Sequence, residues 1–506
     1  MSVSGNTSDI LSSDQQTAAD MFDNFIEQRD NLSYYLLGHA GTGKSFLSSR
    51  IINICAANDK ISEISICAPT HKALNVIETY IRQHIDEKYY SGDEQKIKFA
   101  TVHKKLGFRP TISTRDGTLL FSAKSKPASK TTETPNKTTI LFIDECSMIS
   151  KSMSSSIKNY VSRNKCHVIF TGDILQLPPV GESESVIFSE IPDDYPFRVH
   201  MTKILRTKRK SIQDACAVVR DWDGVSSIYE KLKPIYKNST DRSFRLMRLN
   251  KGKNYSEKWI NHIVARVQQN GTPMILTWDN ETSNTCNNII RNEIHGESSA
   301  GKYSVGDHIM FNEFYMPDID NRPDLKYYTS DTAIIDSVEY NESVIKGWAK
   351  YKIEDATKPA EKMMNKLLDS LETSENILII NMLVAKKNRN DDLDNICVVR
   401  SIAARDAKKF SAMKNKICEK IKFFYAQTRD KSLADKLWKA YRELYIDEFA
   451  SITFGYSITT YKSQGSTYSS VYIHMRNMST IRNNMDLKKA LITAFGRARH
   501  ELILLV

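Results

Sequence analysis

Eight consecutive residues, Gly38-His39-Ala40-Gly41-Thr42-Gly43-Lys44-Ser45, fit the pattern G-x-x-x-x-G-K-[ST] between a predicted strand and a predicted helix. Glycines at 38, 41 and 43 let backbone N–H groups converge on phosphate oxygens, and the helix N-terminus adds partial positive charge. Lys44 can reach terminal phosphates, and the Ser45 hydroxyl can ligate Mg²⁺. Gly38, Ala40, Gly41, Thr42, Gly43, Lys44 and Ser45 are therefore the candidate nucleotide-binding residues. Asp144-Glu145 ends the apolar run Thr139–Ile143. Alone, such a pair reads equally well as a solvated loop. Beside a phosphate loop, Asp144 suits the metal ion and Glu145 suits orienting and deprotonating an attacking water. The run His167–Phe170 ends in Thr171-Gly172-Asp173-Ile174-Leu175-Gln176-Leu177-Pro178-Pro179-Val180. There Gln176 can sense a γ-phosphate through its amide, and the Pro-Pro pair fixes the loop's exit. Phosphoryl transfer also needs positive charge on the equatorial oxygens. Arg206 and Arg497 are the candidates, although either one alone would read as a surface arginine.

These residues need a scaffold that holds them together. Short apolar runs at Ser33–Leu37, Ile64–Cys67, Thr139–Ile143, His167–Phe170, Met274–Thr277, Ser469–His474 and Glu501–Val506 end in polar, Gly- or Pro-bearing segments. Helical patterns intervene, as after Lys44, where Leu47, Ile51, Ile54 and Cys55 share one face. Buried strands alternating with helices predict parallel α/β sheets, with ligands beyond the C-terminal strand ends. Two stretches break the rhythm. Residues 109–138 are polar around a short apolar stretch, Leu119–Phe121. Residues 300–450 read as an inserted module, strand-like first and then, over Ala403–Tyr445, as long charged helices with a solvated face.

A chain of 506 residues is too long for one core, so two to four domains are expected. The excess of 71 Lys+Arg over 60 Asp+Glu suits a polyanionic partner and equally suits a merely soluble surface. Eight scattered cysteines without a C-x-x-C pair argue against a zinc site or disulfide framework and for a reducing compartment. No secretory pattern opens the chain and no apolar run is long enough for a membrane span. An intracellular location is expected, with nucleus and cytoplasm left open.

Together the segments resemble superfamily 1 helicases, in the group of RecD, the phage Dda helicase and the petite-integration-frequency helicases. Leu11-Ser12-Ser13-Asp14-Gln15 is similar to the motif whose glutamine, here Gln15, reads adenine. The phosphate loop, Asp144-Glu145 and Gly172–Val180 stand at motifs I, II and III. Ala68–Ala73 and Thr101-Val102-His103 are similar to motifs Ia and Ib, and Thr277–Arg291 to motif IV. Thr459–Thr467 resembles motif V, with Gln464 and Gly465 assigned toward the nucleotide. Ile492–Leu504 resembles motif VI and makes Arg497 the arginine finger; Arg206 matches the arginine preceding the second motor domain. Three positions depart from the family pattern: Tyr461 for a histidine, Gly496 for Ser or Thr, and Ser330-Asp331 for an Asn-Gly turn.

The resemblance implies two RecA-like parallel-sheet motor domains, one over residues 1–102 and 139–199, the other over 200–299 and 451–506. A small hairpin insert is expected at 103–138 and an SH3-like plus helical insert at 300–450. It further implies ATP with Mg²⁺ at the interface of the motor domains, and 5′-to-3′ travel on single-stranded DNA by a monomer that unwinds tailed or forked duplexes. Pro69, Thr70, His71, Thr101, His103, Thr459, Tyr461 and Lys462 would grip the strand. His71 or His103 on an isolated loop would instead read as structural. Phe121 is the candidate wedge between strands, with a small core of the insert as the equal alternative. An RNA helicase and a translocase that remodels nucleoprotein without unwinding remain open readings.

Overall fold

The structure is a computed structural model describing residues 11–28, 33–92, 95–113, 119–123, 138–192, 194–203, 207–249, 257–269, 271, 273–296, 301–317, 326–372, 376–387 and 393–506. It divides into two compact units, one of Met1–Phe108, Ala123–Cys286 and Ser457–Val506, the other of Arg109–Ser122 and Asn287–Tyr456.

The first unit contains two parallel sheets. In spatial order, one runs Ile97–Thr101, Ile61–Ala68, Thr138–Ile143, His167–Gly172, Ser33–Gly38 and Arg198–Met201. Every neighbouring pair is parallel. Alternation explains why these runs are almost wholly apolar. Ile140 and Phe142 pack with Leu47, Ile51 and Ile77 on one face, while Leu141 and Ile143 pack with Met153 and Ile157 on the other. The second sheet runs Ser457–Thr459, Pro273–Thr277, Tyr468–His474, Ala498–Leu505 and Phe244–Met247, again all parallel.

The second unit is built on an antiparallel sheet in the order Leu393–Ile402, Ile377–Lys387, Thr332–Ser343, His308–Phe311 and Ile452–Phe454. The sheet therefore extends past residue 450, where the inserted module was expected to end. Likewise Arg198–Met201 pairs with Ser33–Gly38, so the first sheet runs past residue 199. The charged helices are more than a solvated face. Ala407–Thr428 buries Phe410, Met413, Ile417, Ile421 and Phe424, and Lys431–Arg442 buries Leu433, Leu437 and Trp438. These side chains form one core with Met364 and Leu368 of helix Pro359–Glu372 and with Ile377 and Ile379 of the sheet. Charge patterning concealed the apolar stripe at i, i+3, i+7 and i+11. Ser330 takes φ of 69°, the left-handed position that an Asn-Gly turn would occupy more easily. Strands Phe108–Ile112 and Leu119–Ala123 form a two-stranded sheet. Phe121 belongs to the second of these, and its side chain lies outside the described residues, as does Arg206 altogether.

Candidate active site

Strand Ser33–Gly38 delivers the phosphate loop. A Cβ at Gly38 would stand 2.7 Å from the Met201 carbonyl oxygen of the adjacent strand, which explains the glycine. Gly41 and Gly43 have φ of 85° and 86°, open to a residue without Cβ. Thr42 Oγ1 donates to the His39 carbonyl at 2.9 Å, and Lys44 Nζ donates to the Gly38 and His39 carbonyls at 2.7 and 2.9 Å. Gly43 precedes helix Lys44–Ala57, so Ser45 sits in the first turn among N–H groups without helical partners.

Asp144 and Glu145 leave the end of strand Thr138–Ile143. Thr171 Oγ1 donates to Asp144 Oδ1. Loss of water, and then the Glu145 charge, push the Asp144 carboxyl above the ordinary carboxylate range. Glu145 has φ of 51°, a left-handed backbone that costs a non-glycine residue about 1–3 kcal/mol and turns the chain sharply off the strand.

Asp173, not singled out from the sequence, is the buried hub of the next loop. Its Oδ2 accepts from Ala40 N and from Arg220 Nη2, both at 3.0 Å, and its Oδ1 accepts from Leu175 N at 3.1 Å. Burial acts to raise this carboxyl, but Arg220 and then Lys44 outweigh it and hold the pKa below the ordinary value. Arg220 lies on helix Lys210–Asp221 beside the buried Ile212, Ala215 and Val219. A cation on that apolar stripe is the sequence signal that could have found it.

Arg497 is 3% exposed and its three nitrogens point three ways. Nε donates to the Thr493 carbonyl at 3.1 Å, Nη1 to the Ser466 carbonyl at 3.2 Å and Nη2 to Gln176 Oε1 at 2.7 Å. Burial lowers its pKa, opposed first by Glu145. The following peptide is held from both sides: Leu177 N donates to Thr493 Oγ1 and Gln464 Nε2 donates to the Leu177 carbonyl, each at 3.1 Å. Gln464 thus fastens the Gln176 loop. At Gly496 an added Cβ would lie 3.0 Å from Ala40 Cβ, so the phosphate loop and the Arg497 turn are in close contact.

Gln15 is buried at the start of helix Ser13–Glu27, where it completes a capping box: Ser12 N donates to Gln15 Oε1 at 3.0 Å and Gln15 N donates to Ser12 Oγ at 3.4 Å. The strand-gripping candidates follow C-terminal strand ends. Thr70 caps helix His71–His84 through a 3.2 Å bond from Ala73 N, with Pro69 before it and His71 exposed after it. Thr101 is buried and caps the turn Val102–Lys105, and half-buried His103 lies 5.9 Å from the Phe108 ring. Thr459 is buried, whereas Tyr461 and Lys462 are half-buried on the turn beyond it. Gly465, at φ of 76°, would place a Cβ 3.6 Å from Ala73 Cα, so the loop after Thr459 meets the helix after Thr70. Among the described residues no cluster of three or more His, Cys, Asp or Glu could hold a metal, and no helix is long and apolar enough to cross a membrane.

The AAA domain model matches residues 25–182, and the UvrD-like helicase C-terminal domain model matches residues 454–505. An uncharacterized protein of Acanthamoeba polyphaga mimivirus, R530, is 36% identical over 494 residues, covering 96% of this chain and 98% of its own length. The RecBCD enzyme subunit RecD of Buchnera aphidicola is 31% identical over 157 residues, 30% of this chain and 24% of that one. The crystal structure of a Pif1 helicase from Candida albicans aligns with 98% of this chain and 95% of its own at 15% identity and a TM-score of 0.44.

Proposed function

We propose that this chain, which belongs to one family with the mimivirus protein R530, is a superfamily 1B helicase of the RecD and Pif1 type, an ATP-driven motor that moves 5′ to 3′ along single-stranded DNA as a monomer and unwinds duplex ahead of it. The observation that carries the reading is the buried 2.7 Å bond between Gln176 and Arg497. It joins the loop after strand His167–Gly172 to the turn before strand Ala498–Leu505, which supports a reaction centre built from both sheets.

In this reading Lys44 leaves the Gly38 and His39 carbonyls for the terminal phosphates. Glu145 accepts the proton of the attacking water, and Gln176 and Arg497 place donors on the transferring phosphoryl group. Ser45 and Asp144 offer the hydroxyl and carboxylate oxygens that a hard cation prefers, and they would hold Mg²⁺, which supplies charge neutralisation on the phosphates when bound. Opening and closing between the sheets would then alter the grip of the loops bearing Thr70, His71, Tyr461 and Lys462 on a strand. Turnover of ATP with and without single-stranded DNA tests this. Stimulation by the strand is expected, and Lys44→Ala or Glu145→Gln should abolish turnover while strand binding persists. Normal turnover in either variant overturns the assignment.

A further inference from the structure

The strand Pro273–Thr277 lies parallel to Ser457–Thr459, with Thr277 opposite Thr459. Trp278 follows Thr277 directly and Tyr461 stands two residues past Thr459, and their rings meet with centroids 5.6 Å apart and planes tilted by 46°. Their backbones are fixed. Asn477 Oδ1 accepts from Trp278 N at 2.5 Å and Asn477 Nδ2 donates to Asp279 Oδ2, while Thr460 N donates to the Thr277 carbonyl at 2.8 Å. Trp278 also differs from the other tryptophans. Trp222, Trp259, Trp348 and Trp438 are at most 4% exposed, whereas Trp278 is only half-buried. An indole kept partly in water on a pinned turn, in contact with a second aromatic ring, has the parts of a base-stacking surface.

We propose that Trp278 and Tyr461 form a stacking platform for a base of the bound single strand. This rests on the strand-motor reading and adds a contact to bases, beyond the contacts to the backbone. The rings already touch, so the base lies on an outer face of the pair and not between them. Stacking reads no particular base edge, which suits a motor that must pass every sequence.

The test uses the full chain, a dT oligonucleotide and an abasic oligonucleotide of the same length. Because four of the five tryptophans are buried, quenching of intrinsic fluorescence reports mainly on Trp278. The dT oligonucleotide should quench wild type, the abasic one should quench it far less, and Trp278→Phe should lose the quench while keeping affinity. By labelled-oligonucleotide anisotropy, Trp278→Ala should bind dT roughly 5- to 150-fold more weakly and should bind the abasic strand as wild type does. Equal quenching by both strands, or unchanged dT affinity in Trp278→Ala, overturns the platform alone. If wild type binds neither strand, the motor reading falls and takes the platform with it.

Discussion

Asp173 and Arg220, 47 residues apart, form a 3.0 Å ion pair with side-chain exposures of 0% and 7%. Asp173 also takes the Ala40 N–H, so the phosphate loop is tied through one carboxylate to helix Lys210–Asp221. Removing one partner of a buried pair costs about 3–5 kcal/mol, because the other charge stays buried. Arg220→Ala should therefore lower the thermal melting temperature by several degrees and weaken nucleotide binding. Adding Asp173→Asn should recover part of the loss by neutralising the stranded charge. A melting curve of Arg220→Ala that overlays wild type would count against this role.

Arg497 uses all three faces of its guanidinium, so lysine cannot replace it. Arg497→Lys should reduce strand-stimulated ATP turnover nearly as far as Arg497→Ala, by about 10³-fold or more. Gln176→Ala should cost less. The double variant should lose far less than the sum, since the two side chains form one unit. Additive losses in steady-state kinetics would mean that their contact in the structure carries no function.

Gly496 has ordinary helical φ of −65°, so only space limits it. The contact with Ala40 predicts that Gly496→Thr will shift the phosphate loop and raise the KM for ATP, and that Ala40→Gly in the same chain will lower it again. A wild-type KM in Gly496→Thr would show that the loop yields without consequence.

The positions of the loop Gly38–Ser45, of Asp144-Glu145 and of Gln176 at strand ends were legible because each motif lies in neighbours a few residues apart. The buried strands were legible because parallel sheets require continuous apolar runs. What failed to show was pairing over distance. The partnership of Asp173 with Arg220, the use of Gln464 to hold Leu177, and the meeting of Trp278 with Tyr461 depend on strand order, which no local pattern encodes. Thr70, Thr101 and Gln15 showed the converse problem. Their polar groups were assigned to ligands, yet each also caps a helix, a local demand the motif reading did not count. The short edge strands Arg198–Met201 and Phe244–Met247 were missed because four residues are too few to establish a period.

Directional travel on DNA, driven by ATP at the Lys44–Arg497 centre, is the property from which the other proposed functions follow. Its most direct measurement is ATP-dependent separation of duplexes bearing a single-stranded 5′ or 3′ tail, in DNA and in RNA. Separation of the 5′-tailed DNA and little of the 3′-tailed DNA is expected, with both lost in Lys44→Ala. Preference for the 3′ tail, preference for RNA, or strand-stimulated ATP turnover without any separation would contradict it.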